Sequence, residues 1–149
     1  MKNLQVYKLN PDAVIPTRNL VTDAGIDIYS VVDMFIPVHD NRIVTTGVAI
    51  NIPEGYVGKI EDRSSMAKKG LKVGAGVIDS GYSGAIDIML HNISFDIEHD
   101  FFGNAGYFIK PGDKIAQMLI IKVETPEIVE VKELWNSERG NKSFGSSGR

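Results

Sequence analysis

The sequence predicts an all-β fold, either a barrel or a jelly roll, in which few strand edges stay free. Glycine is frequent, at 15 of 149 residues, and most glycines lie between short apolar runs. This spacing favours many short strands joined by turns over long helices. The length is that of one domain, and the 43% apolar content is enough for a buried core.

The strands are predicted from short apolar runs that end at turn signals. Turn signals stand at Pro53–Gly55, Asp79–Gly84 and Pro111–Asp113. The candidate strands, in chain order, are Gln5–Leu9, Gly25–Val31, Val48–Ile52, Tyr56–Glu61, Leu71–Ile78, Ala85–Asn92, Gly106–Ile109, Lys114–Val123 and Glu127–Glu133.

One short helix is predicted between two of these strands. Ser64 or Ser65 can cap its first turn, the basic residues 68–69 suit its last turn, and Gly70 can end it. We therefore expect an all-β, jelly-roll-like β-barrel with one short helix.

Composition excludes several classes of function. The net charge of −3 argues against a general DNA binder, and the absence of cysteine excludes disulfides, thiolate-bound zinc and a cysteine nucleophile. No apolar stretch approaches the length of a membrane-spanning helix, and polar residues come too early for a secretory leader. We expect a cytoplasmic protein without membrane or nucleic-acid partners.

The end of the chain differs in composition from the rest. Residues 139–149 are rich in glycine and serine, so this segment cannot build a core of its own. It also contains Arg139 and Phe144, a cation and a ring, as a phosphate-binding flap would. We expect a β-barrel domain over residues 1–138 and a flexible arm over residues 139–149.

Two segments carry side chains suited to catalysis or anion binding. Asp79, at the tip of a predicted hairpin, is either a turn aspartate or a general base beside Tyr82. Arg63, Ser64 and Ser65 are either a surface arginine with a helix cap, or a phosphate site formed by a guanidinium and hydroxyls.

Two further polar residues lie on predicted strands. Asp27 is either an ordinary strand-face residue or the holder of a water molecule on a metal ion. Gln117 follows a turn and lies among apolar residues, so its amide requires a partner. The histidines have no spacing that predicts a zinc site.

Taken in order, five segments resemble the motifs of the homotrimeric dUTPase family. They span residues 24–148, which makes the set far more specific than any one motif. The matching segments are Ala24–Ile28, Arg63–Ser65, Gly76–Gly84, Gly112–Gln117 and Arg139–Gly148.

The resemblance implies a jelly-roll-like β-barrel that forms a homotrimer with shared active sites and hydrolyses dUTP to dUMP and pyrophosphate. Asp79 would activate the water that attacks the α-phosphorus, and Tyr82 would pack under the deoxyribose. The backbone from Gly76 through Ile78 to Met89 would contact the uracil and leave no room for a thymine methyl group.

The same resemblance assigns the phosphates and the ion. The phosphate ligands would be Arg63, Ser64, Ser65 and Gln117, with Arg139, Ser146 and Ser147 on the γ-phosphate. Phe144 and the adjoining Gly145 would close over the uracil. Mg²⁺ would be held mainly by the three phosphates, with Asp27 binding one of its waters.

The chain departs from the family pattern in each of three motifs. Lys142 and Ser143 stand where glycines are usual, which could stiffen the arm. Lys114 replaces an arginine and so lacks the forked donor geometry of a guanidinium. Asp62 stands where proline is frequent.

The segment Ser94–Gly103 makes the loop before the fourth motif longer than usual. It is either a tolerated surface insertion or a contact patch for a protein partner. Its aromatic side chains are Phe95, Phe101 and Phe102, and its acidic ones are Asp96, Glu98 and Asp100.

Two other functions compete with the dUTPase hypothesis. A dCTP deaminase-like enzyme would need a catalytic glutamate at the position of Met89, where a thioether has no proton chemistry. A regulatory jelly roll that binds a protein partner would have an inert Asp79.

Overall fold

The structure, a computed structural model, describes residues 3–94 and 98–136. Short strands dominate it, and the described residues contain one helix of five residues. The all-β prediction is therefore confirmed. The elements in chain order are β1 Gln5–Lys8, β2 Ile26–Tyr29, β3 Met34–Pro37, β4 Asn41–Val44, β5 Val48–Asn51, β6 Tyr56–Glu61, α1 Ser64–Lys68, β7 Leu71–Gly74, β8 Val77–Ile78, β9 Ile88–Asn92, β10 Glu98–His99, β11 Ala105–Ile109 and β12 Lys114–Lys122.

Every strand pairing is antiparallel, and most neighbours in a sheet are distant in sequence. The largest sheet has the order β2–β12–β6–β8, and a second runs β4–β9–β7. The two smaller sheets are β10–β11–β3 and β1–β5. The long strand β12 lies between β2 and β6, so the first, second and fourth motifs meet on one sheet.

Branched aliphatic side chains fill the space between the sheets. Ile28, Ile36, Ile86 and Ile115 are fully buried, and Met66 brings the short helix onto the same core. β-branched residues suit this role because their stiff side chains pack well on pleated surfaces. The strands alternate buried and half-buried positions along β2 and β9, as sheets with one covered face do.

A buried amide joins two of the sheets. Asn92, at the end of β9, donates from Nδ2 to the Ile36 carbonyl at 2.8 Å. Its Oδ1 accepts from the Ser94 amide at 3.0 Å and from the Ser94 hydroxyl at 2.6 Å. This side chain is completely buried, and both of its polar atoms are satisfied.

The strand predicted over Leu71–Ile78 is in fact two strands. Ala75 and Gly76 have φ values of 62° and 114°, which extended backbone cannot adopt. The chain therefore leaves β7 and then pairs with β6 as β8. A Cβ on Gly76 would lie 2.8 Å from the Ile60 carbonyl oxygen, so glycine is required at this bend.

The predicted helix forms, but neither serine caps it. Arg63 occupies the cap position, and no side-chain hydrogen bond caps this described helix. Ser64 is already the first helical residue, and the Ser65 hydroxyl accepts from Arg63 Nη1 instead, at 3.1 Å. Gly70 ends the helix as predicted, with a φ of 78°.

The sequence analysis missed three strands and predicted one that does not form. β3 and β4 are short, and their register comes from the distant strands β11 and β9, whereas β10 is a two-residue strand that forms a hairpin with β11. The predicted strand Glu127–Glu133 is exposed and irregular, because no described segment lies beside it to pair with. In the described residues, no helix is long and apolar enough to cross a membrane.

Candidate active site

Most of the predicted site residues that the structure describes line two concave pockets. One is an apolar pocket of about 510 Å³ beside β7 and β8, and the other is a polar pocket of about 490 Å³ where β2, β12 and α1 meet. The two pockets share no lining residue. We call them the apolar pocket and the cationic pocket.

The apolar pocket contains Asp79 and, among the described residues, all those predicted to contact the nucleoside. Those residues are Gly76, Ile78, Asp79, Tyr82 and Met89. Aliphatic side chains from neighbouring strands complete the wall, namely Ile43, Ile60, Val73 and Ile88. Such a cavity has room for a flat ring, with backbone groups at its edge.

Asp79 lies in the loop of a hairpin, as predicted, but this loop is long. The strands of the hairpin are β7 and β9, which pair from Leu71 with Asn92 to Gly74 with Met89, and the loop between them contains β8, which pairs with β6. A turn follows it, in which the Tyr82 amide donates to the Asp79 carbonyl at 3.3 Å. This turn brings the carboxylate and the phenol to the same pocket.

The Tyr82 ring is held over a glycine. Its hydroxyl donates to the Ala85 carbonyl at 3.1 Å, and a Cβ on Gly84 would lie 2.3 Å from that hydroxyl oxygen. The ring remains 47% exposed, which leaves one face free for a ligand. A half-exposed aromatic ring is a suitable platform for a sugar or a base.

The cationic pocket is organised by the Asp27 carboxylate. Oδ1 accepts from Arg63 Nε and Oδ2 pairs with Lys114 Nζ, each at 2.7 Å. Burial alone would raise the pKa of Asp27, but hydrogen bonds from Lys114 and Arg63 outweigh it and lower that pKa. The trio of Asp27, Arg63 and Lys114 carries a net positive charge, and Asp23 adds a second carboxylate to the lining of the pocket.

The two cations are also fixed by other contacts. Lys114 lies with Nζ 5.7 Å from the centre of the Tyr29 ring, and its hydrogen bond to Asp27 raises the pKa of its ammonium. Arg63 Nη1 donates to the Ser65 hydroxyl and, at 3.3 Å, to the Lys114 carbonyl. A preorganised cation pair of this kind suits a phosphate group.

Gln117 lies on β12 at the wall of the same pocket. Its Nε2 donates to the Asp62 carbonyl at 2.8 Å, which is the partner that the sequence analysis required. Gly25 lies against its other amide atom, since a Cβ there would be 2.0 Å from Gln117 Oε1. Glycine in the first motif thus leaves space for the glutamine of the fourth.

The donor set fits an ion carried by a ligand better than an ion bound directly by side chains. Among the described residues, no group of three or more His, Asp or Glu side chains could hold a metal ion. Both Asp27 oxygens already accept from cations, so this carboxylate can reach a hydrated ion only at its periphery. Phosphate oxygens would have to supply most ligands.

The structure brings together most of the predicted site residues that it describes, but in two groups. Asp27, Arg63, Ser64 and Gln117 line the cationic pocket, and Ser65 contacts Arg63. The predicted arm residues Arg139, Phe144, Gly145, Ser146 and Ser147 lie outside the described residues, as does the boundary between residues 138 and 139.

Several lining residues were missed by the sequence analysis. Asp87 is a second carboxylate in the apolar pocket, and Ile43 reaches it from the unpredicted strand β4. Asn19 and Asp23 line the cationic pocket from the loop before β2. Asn19 and Asp23 shortly precede the first motif in sequence, so their closeness to this motif is the signal from which their place in the pocket could have been predicted.

Comparisons with known proteins agree with this architecture. The dUTPase family model matches residues 12–148. The deoxyuridine 5'-triphosphate nucleotidohydrolase of Paramecium bursaria Chlorella virus 1 is 41% identical over 99% of both chains. That of Arabidopsis thaliana is 41% identical over 97% of this chain and 82% of its own. A human relative, 38% identical over 98% of this chain and 55% of its own, is named as mitochondrial.

Solved structures of phage proteins have the same fold. A mutant dUTPase of Staphylococcus bacteriophage 80alpha with dUpNHpp superposes with a TM-score of 0.85 at 35% identity over the whole of both chains. A mutant dUTPase of phage phi11 of S. aureus, described with a structural Mg(II) ion, gives a TM-score of 0.79 at 34% identity over 91% of this chain.

Fold, pockets and relatives together define a class, the all-β nucleotide hydrolases with a jelly-roll-like barrel. Within that class the chain belongs to the dUTPase family. The family expected from the five motifs is therefore confirmed, and so is the enzyme class.

Proposed function

We propose that the protein hydrolyses dUTP to dUMP and pyrophosphate, by attack of water on the α-phosphorus. The observation that carries the proposal is the joint placement of Asp79 and Tyr82 in an apolar pocket of the size of a nucleoside. Family membership supplies the substrate class, since the relatives are named for deoxyuridine triphosphate.

The apolar pocket would select the nucleoside. Its aliphatic walls favour a flat base, and the bent backbone at Ala75 and Gly76 presents peptide groups to the base edge. A site built to bond one set of donors and acceptors leaves them unpaired with cytosine. The Tyr82 ring would lie under the deoxyribose and exclude a 2′-hydroxyl.

Asp79 would act as the general base. In this step its carboxylate accepts a proton from water while the water oxygen bonds to the α-phosphorus. The bond from that phosphorus to the bridging α,β-oxygen breaks, and pyrophosphate leaves with the electron pair. For this step, the Asp79 carboxylate must lie within hydrogen-bond distance of a water molecule that is in line with the leaving oxygen.

The cationic pocket would hold the phosphates. Arg63 and Lys114 supply charge, and Ser64, Ser65 and Gln117 supply hydrogen-bond donors. Mg²⁺ bound to the triphosphate would neutralise the charge that develops on the leaving oxygens, with Asp27 as a partner for its water. Phosphoryl transfer depends mainly on such positioning and electrostatic stabilisation.

One complete site would then need more than one copy of the chain. In each chain the apolar and cationic pockets are separate cavities, so neither alone offers both a nucleoside wall and a phosphate cradle. A homotrimer in which the apolar pocket of one copy faces the cationic pocket of another would join them. Arg139, Phe144 and the serines of the arm would close over the bound nucleotide.

The proposal is tested by pyrophosphate release from the purified protein with Mg²⁺ and equal concentrations of dUTP, dTTP, dCTP and UTP. We expect release from dUTP alone. Equal release from dUTP and UTP would refute the role of Tyr82, and ammonia release from dCTP would favour the deaminase alternative. Binding of dUTP without any release would favour the regulatory alternative.

A second function, binding of a protein partner, rests on the hairpin formed by β10 and β11. Phe101 and Phe102 at its tip are 97% and 84% exposed. Asp100 fixes the turn by accepting from the Phe102 amide at 2.9 Å and from the Asn104 amide at 2.8 Å. A rigid turn that displays two rings has the chemistry of an anchor for a partner.

One relative supports this second function. A solved structure of the bacteriophage 80alpha dUTPase carries the description that phage dUTPases control the transfer of virulence genes. Replacing Phe101 and Phe102 by serine should leave dUTP hydrolysis unchanged, and loss of hydrolysis would show that the hairpin supports the active site. The cytoplasmic location of the protein stays a prediction.

A further inference from the structure

Asp62 lines neither pocket but contacts a lining residue of each, Val73 of the apolar pocket and Gln117 of the cationic pocket. It follows the last residue of β6 and precedes Arg63, and its side chain is 22% exposed. Its carboxylate accepts from the Val73 amide at 2.7 Å through Oδ1, and its Oδ2 binds Lys72 Nζ. Both partners belong to β7, which the short helix separates from Asp62 in sequence.

The carboxylate of Asp62 thereby fixes one wall of the apolar pocket. Val73 lines that pocket and begins the run of residues that ends at the bend of Gly76. The far end of the run is tied to β6 by the Ile60 amide, which donates to the Gly76 carbonyl at 2.7 Å. Asp62 and Ile60 therefore hold the two ends of this wall.

The backbone of Asp62 fixes a wall of the cationic pocket. Its carbonyl accepts from Gln117 Nε2 at 2.8 Å, and the next residue along the chain is Arg63. The carboxylate anchors residue 62 to β7, so the same anchor determines where this carbonyl points. Gln117 in turn packs against Gly25 of the first motif.

Burial and charge show that this contact is favourable in the folded protein. Burial would raise the pKa of Asp62, but the hydrogen bonds from Lys72 and Val73 outweigh it and lower that pKa. The group is ionised at neutral pH and accepts from a cation and an amide, a combination stronger than a neutral hydrogen bond.

We infer that Asp62 is a positioning residue that sets the walls of both pockets together, the nucleoside wall through Val73 and the phosphate wall through Gln117. The inference rests on the proposed function of these pockets. If a site is shared between copies, Asp62 links the nucleoside half of one site to the phosphate half of its neighbour. It touches no reacting atom itself.

The test compares Asp62→Ala with Asp40→Ala. Asp40 is a matched control, since its carboxylate also accepts from a backbone amide, that of Asn41 at 2.7 Å, and pairs with a cation, Arg42, yet neither of these partners lines either pocket. The readouts are kcat and KM for dUTP and the inhibition constants of dUMP and inorganic pyrophosphate, which probe the two halves separately.

We expect Asp62→Ala to weaken both dUMP and pyrophosphate and to lower kcat/KM by about 10- to 100-fold, the cost of a small misplacement. Asp40→Ala should leave all four constants unchanged. Unchanged constants in Asp62→Ala, with only a lower melting temperature, would overturn the inference. If wild type neither hydrolyses dUTP nor binds either probe, the proposed function fails instead.

Two further variants keep the test decisive if Asp62→Ala does not fold. Asp62→Asn retains an oxygen for the Val73 amide and should recover most of the dUMP affinity, whereas Lys72→Met leaves that bond and should change dUMP binding by less than about threefold. Affinity of Asp62→Asn for dUMP that falls by the full 10- to 100-fold relative to wild type, or a larger loss of dUMP affinity in Lys72→Met than in Asp62→Asn, would show that the Val73 bond does not position the wall.

A double-mutant cycle tests the link to the phosphate half. If Asp62 acts on pyrophosphate through Gln117, adding Asp62→Ala to Gln117→Ala should cost no further pyrophosphate affinity. Additive losses would contradict this route.

Discussion

At the scale of single residues, Asp27 shows how one carboxylate can organise a site without reacting. It accepts from Arg63 and from Lys114, and this fixes both cations where an anion can meet them. Lysine replaces the usual arginine here, yet the ion pair forms with Nζ alone. The replacement costs forked geometry but keeps the charge.

Asp79→Asn should preserve nucleotide binding and lower turnover. An amide has nearly the shape of a carboxylate but cannot accept the proton of water, and a general base contributes about 10²- to 10⁴-fold to a rate. We expect kcat to fall by that factor, with the dissociation constant for a non-hydrolysable dUTP analogue almost unchanged. Near-normal kcat in this variant would remove Asp79 from the mechanism.

Acid should destabilise the protein through Asp27. Because its folded pKa lies below the ordinary 3.8, ionised Asp27 stabilises the fold above the unfolded pKa, and this stability is lost as pH falls through the folded pKa. In urea unfolding between about pH 5 and pH 2, the free energy of unfolding should fall less steeply with decreasing pH in Asp27→Asn than in wild type. Parallel acid profiles for the two proteins would mean that the ion pairs stabilise nothing.

At the scale of elements, motif segments were predictable and their partners were not. The helix end at Gly70 and the turn at Gly112 could be predicted because a positive φ strongly favours glycine. The β7–β8 break was missed because Ala75 adopts a φ of 62° although alanine gives no such signal. Strand β4 has no local sequence signal. The sequence therefore did not predict that Ile43, which lies on this strand, lines the apolar pocket.

The candidate site was predictable to the same extent. Asp79, Tyr82, Arg63 and Gln117 follow from their motifs, but the division into two pockets depends on pairings such as β6 with β12, far apart in sequence. At Asp62 the sequence indicated only a departure from the proline that is frequent at this position of the motif. Its contact with Val73 depends on how β7 returns beside β6.

Asn92→Ala should loosen the junction between β9 and β3. The change leaves the buried Ile36 carbonyl without its donor, and an unsatisfied buried group costs about 1–3 kcal/mol. Asn41→Ala, at an exposed position of β4, is the control and should change the free energy of unfolding by less than about 0.5 kcal/mol. Chemical denaturation measures both, and equal values for the two variants would contradict the role of the buried amide.

Removing residues 139–149 should abolish most turnover while the oligomer persists. The proposal assigns Arg139 and Phe144 to closure over the nucleotide, and loss of such positioning costs about 10²-fold or more. Light scattering would measure the mass of the truncated oligomer, and pyrophosphate release would measure its turnover rate. A truncated protein that falls apart into single chains would show that the arm holds the subunits together.

At the scale of the whole molecule, the surface indicates association. Ile128 and Trp135 are 98% and 74% exposed in a segment that pairs with no described strand. Large apolar side chains that are exposed together on a protein surface are typical of an interaction site. The separate pockets agree with the proposed shared site, in which the apolar pocket of one copy would face the cationic pocket of another.

The most direct test of this account is complementation between Asp79→Asn, which lacks the proposed general base, and Gln117→Ala, which lacks a proposed phosphate ligand, denatured and refolded together in equal amounts. One variant keeps the cationic pocket and the other keeps the apolar pocket. If each site joins pockets from two copies, about a quarter of all sites are intact after random assembly, and pyrophosphate release should recover to about a quarter of the wild-type rate. Activity no higher than that of the separately refolded variants would show that each chain works alone, and would contradict the shared site.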